Sequence, residues 1–138
     1  MEKNKVNKFS VYFYIFIKKK IKKKKGMIGS THDAETNQQE YNDTLIAYLN
    51  VDMGVTFNNP KLQVKSSPIL RTIIRDCTKI VTDPNTGLPL FDVWDGQVGL
   101  LQGGSDYVTF VNHVGISSAD FSFGIDRGYG VYHSRYDR

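Results

Sequence analysis

A chain of 138 residues and 15.7 kDa has room for one domain with a modest core. Its formal charge of +4 is a sum of opposites: residues 1–25 hold ten lysines and one acid, Glu2, a net +9, while residues 26–138 hold eight Lys or Arg against thirteen acids, a net −5. The basic pI of about 9.1 therefore belongs to a tail, and an acidic body speaks against a nucleic-acid partner. A single cysteine, Cys77, excludes an internal disulfide and a Cys-based zinc site.

In chain order, the first 25 residues are built from little beyond Lys, Asn, Ile, Phe and Tyr. Within them "VYFYIFI", residues 11–17, is apolar but far short of the roughly 20 residues that cross a bilayer, and the lysines that follow it are wrong for a secretory cleavage site. Two readings stay open: a polybasic segment on anionic lipid, or low-complexity sequence outside the domain, such as a misplaced start or a retained non-coding stretch. Low complexity favours the second, with the domain running over 26–138.

Residues 32–43, "HDAETNQQEYND", suit a solvent-facing helix. "LIAYLNVD", residues 45–52, is a continuous apolar run closed by an acid, the pattern of a strand buried on both faces. "MGVTFNNP" interrupts it. "KLQVKSS" alternates Leu62 and Val64 with polar residues, as a half-exposed edge strand does. The strongest helical pattern follows, with Ser67 as cap, Pro68 in first position, and Ile69, Leu70, Ile73, Ile74, Cys77, Ile80 and Val81 recurring at helical spacing. Cys77 is then expected as a buried, inert thiol, and Arg71, Arg75 and Lys79 as a solvated face. "DPNTGLPLFDVWDG" reads as a long loop. Ser105 and Asp106 can open a short helix, "SDYVTFVNHV", and "GISSADFSF" reads as a strand. A glycine-rich loop from Gly124 carries Tyr132, His133 and Tyr136 near the C-terminus. Strand, helix and strand in this order indicate α/β architecture, in which ligands gather beyond the carboxyl ends of strands. Asp52 stands at such an end. Gly103 and Gly104, before a helix start, could offer backbone N–H groups to an anion.

Four stretches, "GMIGST", "YLNVDMGV", "LLQGGSDYVTFVNHVGISSADFSF" and "GVYHSRYD", together resemble the C-terminal half of the peptidase domain in the glutamate carboxypeptidase II and transferrin receptor family of zinc exopeptidases. The resemblance spans Gly26 to Arg138 and is nearest in character to fungal vacuolar-sorting and transferrin-receptor-like members. It implies a partial zinc-exopeptidase fold, an incomplete mixed sheet flanked by helices. By position it makes Asp52 and His133 metal ligands, one to each of two zinc ions, Tyr132 a catalytic hydroxyl on the tetrahedral intermediate, and Gly104 and Ser105 part of the substrate cleft. Carboxylate and imidazole suit zinc, and paired metals activate water toward a scissile carbonyl.

In that family two glutamates, a general base and a metal ligand, precede "GMIGST". Here the matching positions are Lys23 and Lys24. Nor is there a match for the family's upstream histidine and bridging aspartate, and His32, downstream, is no substitute. The resemblance thus implies a metallopeptidase parent with a peptide substrate and two zinc ions, and a chain that by itself binds zinc poorly and is inactive. Asp120 and Ser122 stand where the family's substrate-reading arginines would, so a preference for acidic C-terminal residues is not expected. The other reading is a non-catalytic, transferrin-receptor-like domain acting in binding or protein sorting. The family also implies a membrane-anchored parent, with its peptidase domain outside the cytosol, and a homodimer. Since only part of such a sheet is present, "LIAYLNV" is expected to leave apolar faces and an unpaired edge, with poor solubility as the result.

Overall fold

The computed structural model describes residues 27–52, 61–124 and 135–136, together with the backbone of residues 55–56. The lysine-rich segment, Tyr132 and His133 lie outside the described residues. Two short helices come first, α1 (Ile28–Thr36) and α2 (Gln38–Thr44), joined at Asn37, whose side-chain Nδ2 donates to the Asp33 carbonyl. Their polar sequence hides an inward face: Ser30, Ala34 and Tyr41 are buried, so the pair is not simply solvent-facing.

Among the described residues the sheet has five strands: β1 (Tyr48–Asn50), β2 (Val55–Thr56), β3 (Leu62–Ser66), β4 (Val98–Gly99) and β5 (Ser118–Gly124). Their order is β1-β5-β3-β4, with β2 also pairing β5. β1 and β2 run parallel to β5, β3 runs antiparallel to it, and β4 runs parallel to β3. The mixed α/β fold expected from the order of elements is present. β1, read as a strand buried on both faces, instead leaves Leu49 exposed, and it ends the strand order among the described residues, in keeping with the unpaired edge expected of it. β3, expected at an edge, is interior, between β5 and β4. β3 nevertheless keeps its alternation, with Leu62, Val64 and Ser66 buried and Gln63 and Lys65 out.

A 3-10 turn at Pro68–Leu70 leads into α3 (Arg71–Ile80). Ser67 does not cap it; its Oγ instead accepts from the Ser118 amide at 3.0 Å, tying the turn to β5. α3 sets Ile74 and Thr78 inward and leaves Ile69, Ile73, Ile80 and Val81 exposed. Cys77 is exposed too, contrary to the buried thiol expected from its spacing. The basic face is only partly solvated: Arg75 Nε donates to the Gly96 carbonyl, and Arg71 Nε is buried. In the stretch read as a loop, Pro89 bridges Thr82 just before it and a one-turn helix α4 (Leu90–Val93) delivers the buried Trp94. The turn between them closes on Asp83, whose carboxylate accepts from both the amide and the hydroxyl of Thr86.

Two apolar clusters make a three-layer arrangement. Leu62, Val64 and Ala119 pack with Ile74 of α3, Leu90 of α4 and Trp94 on one face. On the other, Phe110, Val114 and Ile116 meet Ala34 and Tyr41, with Tyr48 of β1 stacked on Phe110 at 4.0 Å between ring centroids. Phe110 opens the π-helical turn Phe110–Val114, which continues α5 (Tyr107–Thr109) and stops at Gly115 in the left-handed region, φ 80°.

Candidate functional site

The side-chain alternation of β1 puts Tyr48 and Asn50 on the face toward α5, and the chain then carries Asp52 past the strand's carboxyl end. The loop before α5 arrives at the same place. It turns sharply through Gly103 (φ 127°) and Gly104 (φ 106°), conformations that a side chain would strain, and presents Ser105. Ser105 Oγ donates to Asp52 Oδ2 at 3.0 Å and accepts from Asn50 Nδ2 at 3.2 Å. The buried Asn50 amide also donates to Asp120 Oδ1 of β5 at 2.7 Å. Residues distant in sequence are thereby fixed in one hydrogen-bonded chain: Asp52, Ser105, Asn50, Asp120.

Three of the residues singled out from the sequence, Asp52, Gly104 and Ser105, are thus gathered at one end of the sheet. Tyr132 and His133 fall outside the described residues, so their distance to Asp52 is not part of this picture. Sequence reasoning missed Asn50. Its signal was a polar residue inside an apolar strand, two positions before Asp52 and therefore on the same face. The anion-binding expectation for Gly103 is corrected: its N–H donates to the Tyr107 hydroxyl at 3.1 Å, and that hydroxyl donates back to the Gly103 carbonyl at 2.6 Å. The pair locks the turn and leaves the Gly103 amide engaged.

The electrostatics of this end are acidic. Burial, followed by the charges of Asp106, Asp52 and Asp120, pushes the Tyr48 hydroxyl from 10.0 up to about 12. Among the described residues no group of three His, Cys, Asp or Glu side chains converges as a metal site. The partners of Asp52 are a hydroxyl and, through it, an amide, and zinc is held by thiolate, imidazole and carboxylate. The described donor set therefore does not fit zinc on its own.

A mixed sheet between helices, with a carboxylate and a glycine-turned loop at a strand's carboxyl end, places polar groups where α/β folds gather ligands. The sequence matches peptidase family M28 over residues 8–138, and the chain belongs to that family. Among its relatives, "Probable glutamate carboxypeptidase LAMP1" of Arabidopsis thaliana is 40% identical over 119 residues, covering 81% of this chain and 17% of that protein. "Aminopeptidase NAALADL1" of Mus musculus is 32% identical over 132 residues, covering 81% and 18%. "Vacuolar protein sorting-associated protein 70" of Saccharomyces cerevisiae is 31% identical over 115 residues, covering 79% and 14%. The chain spans under a fifth of the length of each of these relatives.

Proposed function

We propose that the chain forms the substrate-cleft side of a zinc-dependent peptidase domain, within a larger protein that hydrolyses peptide bonds, and that the chain alone is not catalytic. The observation that carries this reading is the 3.0 Å bond from Ser105 Oγ to Asp52 Oδ2, which joins a strand-end carboxylate to a cleft loop 53 residues away. In this reading Asp52 and His133 each contribute to one of two zinc sites, Tyr132 adds a hydroxyl, and Gly104 and Ser105 line the cleft. The chain lacks the rest of the machinery where its relatives' pattern would supply it. Lys23 and Lys24 take the places of a base and a ligand, and two ammonium groups oppose a dication.

Two measurements test the proposal. The purified chain, dialysed against trace zinc and analysed by elemental mass spectrometry, is expected to hold less than one zinc per molecule and to release no amino acid from unblocked peptides. Two bound zinc ions with turnover would refute the inactivity. Translating the genomic DNA around Gly26 in every frame is expected to uncover adjacent glutamates before "GMIGST", with a histidine and an aspartate further upstream. Their absence would remove the peptidase parent. The similarity to a vacuolar sorting protein supports a second reading, a non-catalytic domain acting in binding or sorting. Stoichiometric zinc in the intact parent would eliminate it.

A further inference from the structure

The turn that closes on Asp83 forms one wall of a cavity of about 190 Å³. The cavity lies on the face of the sheet that carries α3 and α4, whereas Tyr48 and Asn50 face α5 on the other. Leu62 of β3, Leu90 and Val93 of α4, and Trp94 give it apolar walls, and Asp83 and Lys61 bring one charge of each sign. Sites for drug-sized ligands run to roughly 300–1,000 Å³, but about 150 Å³ is enough to admit benzene. The space therefore suits one group of side-chain size.

Two buried side chains in its lining carry polar atoms without a partner. Asp83 is 8% exposed; its Oδ2 accepts both bonds of the Thr86 turn, and among the described residues Oδ1 accepts none. Trp94 is 6% exposed, and its indole N–H has no acceptor among the described residues either. Neither atom is sealed from solvent: among the described residues the buried, unpartnered side-chain atom is Arg71 Nε. Native structures leave few buried polar groups unmatched. The turn accounts for one oxygen of Asp83 and leaves the other open. Among the described residues Lys61 and Asp83 form no ion pair with each other, so both charges remain available to a ligand.

We propose that this cavity binds a free α-amino acid with an apolar side chain. The ligand's ammonium group donates to Asp83 Oδ1, and its carboxylate lies by Lys61, with the Trp94 indole N–H as a neutral donor. Its side chain fills the space among Leu62, Leu90 and Val93. A zwitterion matches both charges of the lining, where a simple amine or acid matches one, and hydrogen bonds between ionised groups are the stronger kind. A free amino acid is also what a peptidase releases, so the occupant is the product class of the reaction proposed above. The binding does not rest on that reading, since it uses none of Asp52, Gly104, Ser105, Tyr132 and His133.

Trp94 is the only tryptophan of the chain, so its emission reports on the cavity directly. Titrating the full chain with L-leucine is expected to change that emission and to shift the indole N–H resonance, with half-saturation at or below about 5 mM. 4-Methylpentanoate lacks the ammonium, isopentylamine the carboxylate and serine the apolar side chain; each is expected to bind at least about ten-fold more weakly. Lys61→Gln, at an exposed position, is expected to weaken leucine by a similar factor and to leave isopentylamine unchanged, a split that a general loss of structure does not give. Asp83→Asn keeps an acceptor for Thr86 and is expected to abolish the preference for leucine over 4-methylpentanoate; if that variant fails to fold, Lys61→Gln decides. Silence of both signals up to about 50 mM leucine would overturn the proposal. So would 4-methylpentanoate binding as tightly as leucine, or leucine binding unchanged in Lys61→Gln, since the cavity then reads only an apolar group. Zinc content and turnover are separate measurements, so failure here leaves the peptidase reading standing.

Discussion

Asn50 and Tyr48 show how single residues organise the acidic end of the sheet. Asn50 is a buried amide that satisfies two oxygen atoms, Ser105 Oγ and Asp120 Oδ1, so that neither of those side chains is free to swing toward solvent. Tyr48 pairs one apolar task, stacking on Phe110, with a hydroxyl among carboxylates. A phenol is neutral when protonated, and burial together with Asp106, Asp52 and Asp120 favours that neutral form, raising its pKa from 10.0 to about 12. Below pH 10 the proton is held in both folded and unfolded chains, and the associated stability is fully present. Above pH 10 the unfolded chain ionises first, and stability falls until the folded pKa near 12 is passed. The Tyr48 side chain is only partly buried, so solvent screens these charges and the loss stays well below the full value of roughly 1.4 kcal/mol per pH unit. A Tyr48→Phe variant keeps the stacked ring and has no phenol to ionise. Its urea-unfolding free energy is expected to fall less steeply than the parent's between pH 10 and 12; equal slopes would show that the hydroxyl is not held as described.

At the scale of elements, the end of α5 depends on backbone conformation more than on packing. Gly115 takes φ 80° to stop the π-helical turn and aim Ile116 back into the second cluster, and a Cβ there would meet no atom within 4 Å. Gly115→Ala therefore tests the left-handed conformation alone. It is expected to cost about 1–2 kcal/mol in denaturant unfolding, whereas a cost near zero would mean that the turn relaxes freely. Helical spacing, strand alternation and the Gly-Gly-Ser loop were all readable along the chain, since each is a local pattern. What covers an element is not local. Leu49 and Ile46 read as core residues because the run "LIAYLNVD" is continuous, yet β1 lies where, among the described residues, the sheet ends. Ile73 and Cys77 share the apolar side of α3 with Ile74, but only the inward part of that wide stripe reaches Leu62 and Trp94. Asp52 and Ser105 were singled out from pattern and resemblance; what the fold adds is the hydrogen bond between them and the link to β5 through Asn50, which works through a register that only the paired strands reveal.

For the whole molecule, these uncovered surfaces have a thermodynamic consequence. Among the described residues, exposed apolar side chains gather along β1 and along the outer side of α3 and the turn that leads into it, where Ile69 is 77% exposed, Ile73 47% and Ile80 83%. Exposed apolar area of this kind drives association, with each buried side chain contributing on the order of 1–3 kcal/mol. The full chain is therefore expected to sediment as concentration-dependent oligomers. The double variant Ile73→Lys and Ile80→Lys, which places charge along α3 without touching the buried Ile74 and Thr78, is expected to shift the distribution toward monomer. Because both positions are on the surface, its unfolding free energy should stay within about 0.5 kcal/mol of the parent. If the parent is already monomeric and unfolds in one cooperative transition, or if the variant associates just as strongly, α3 is not the adhesive face and the solubility of the chain has another origin.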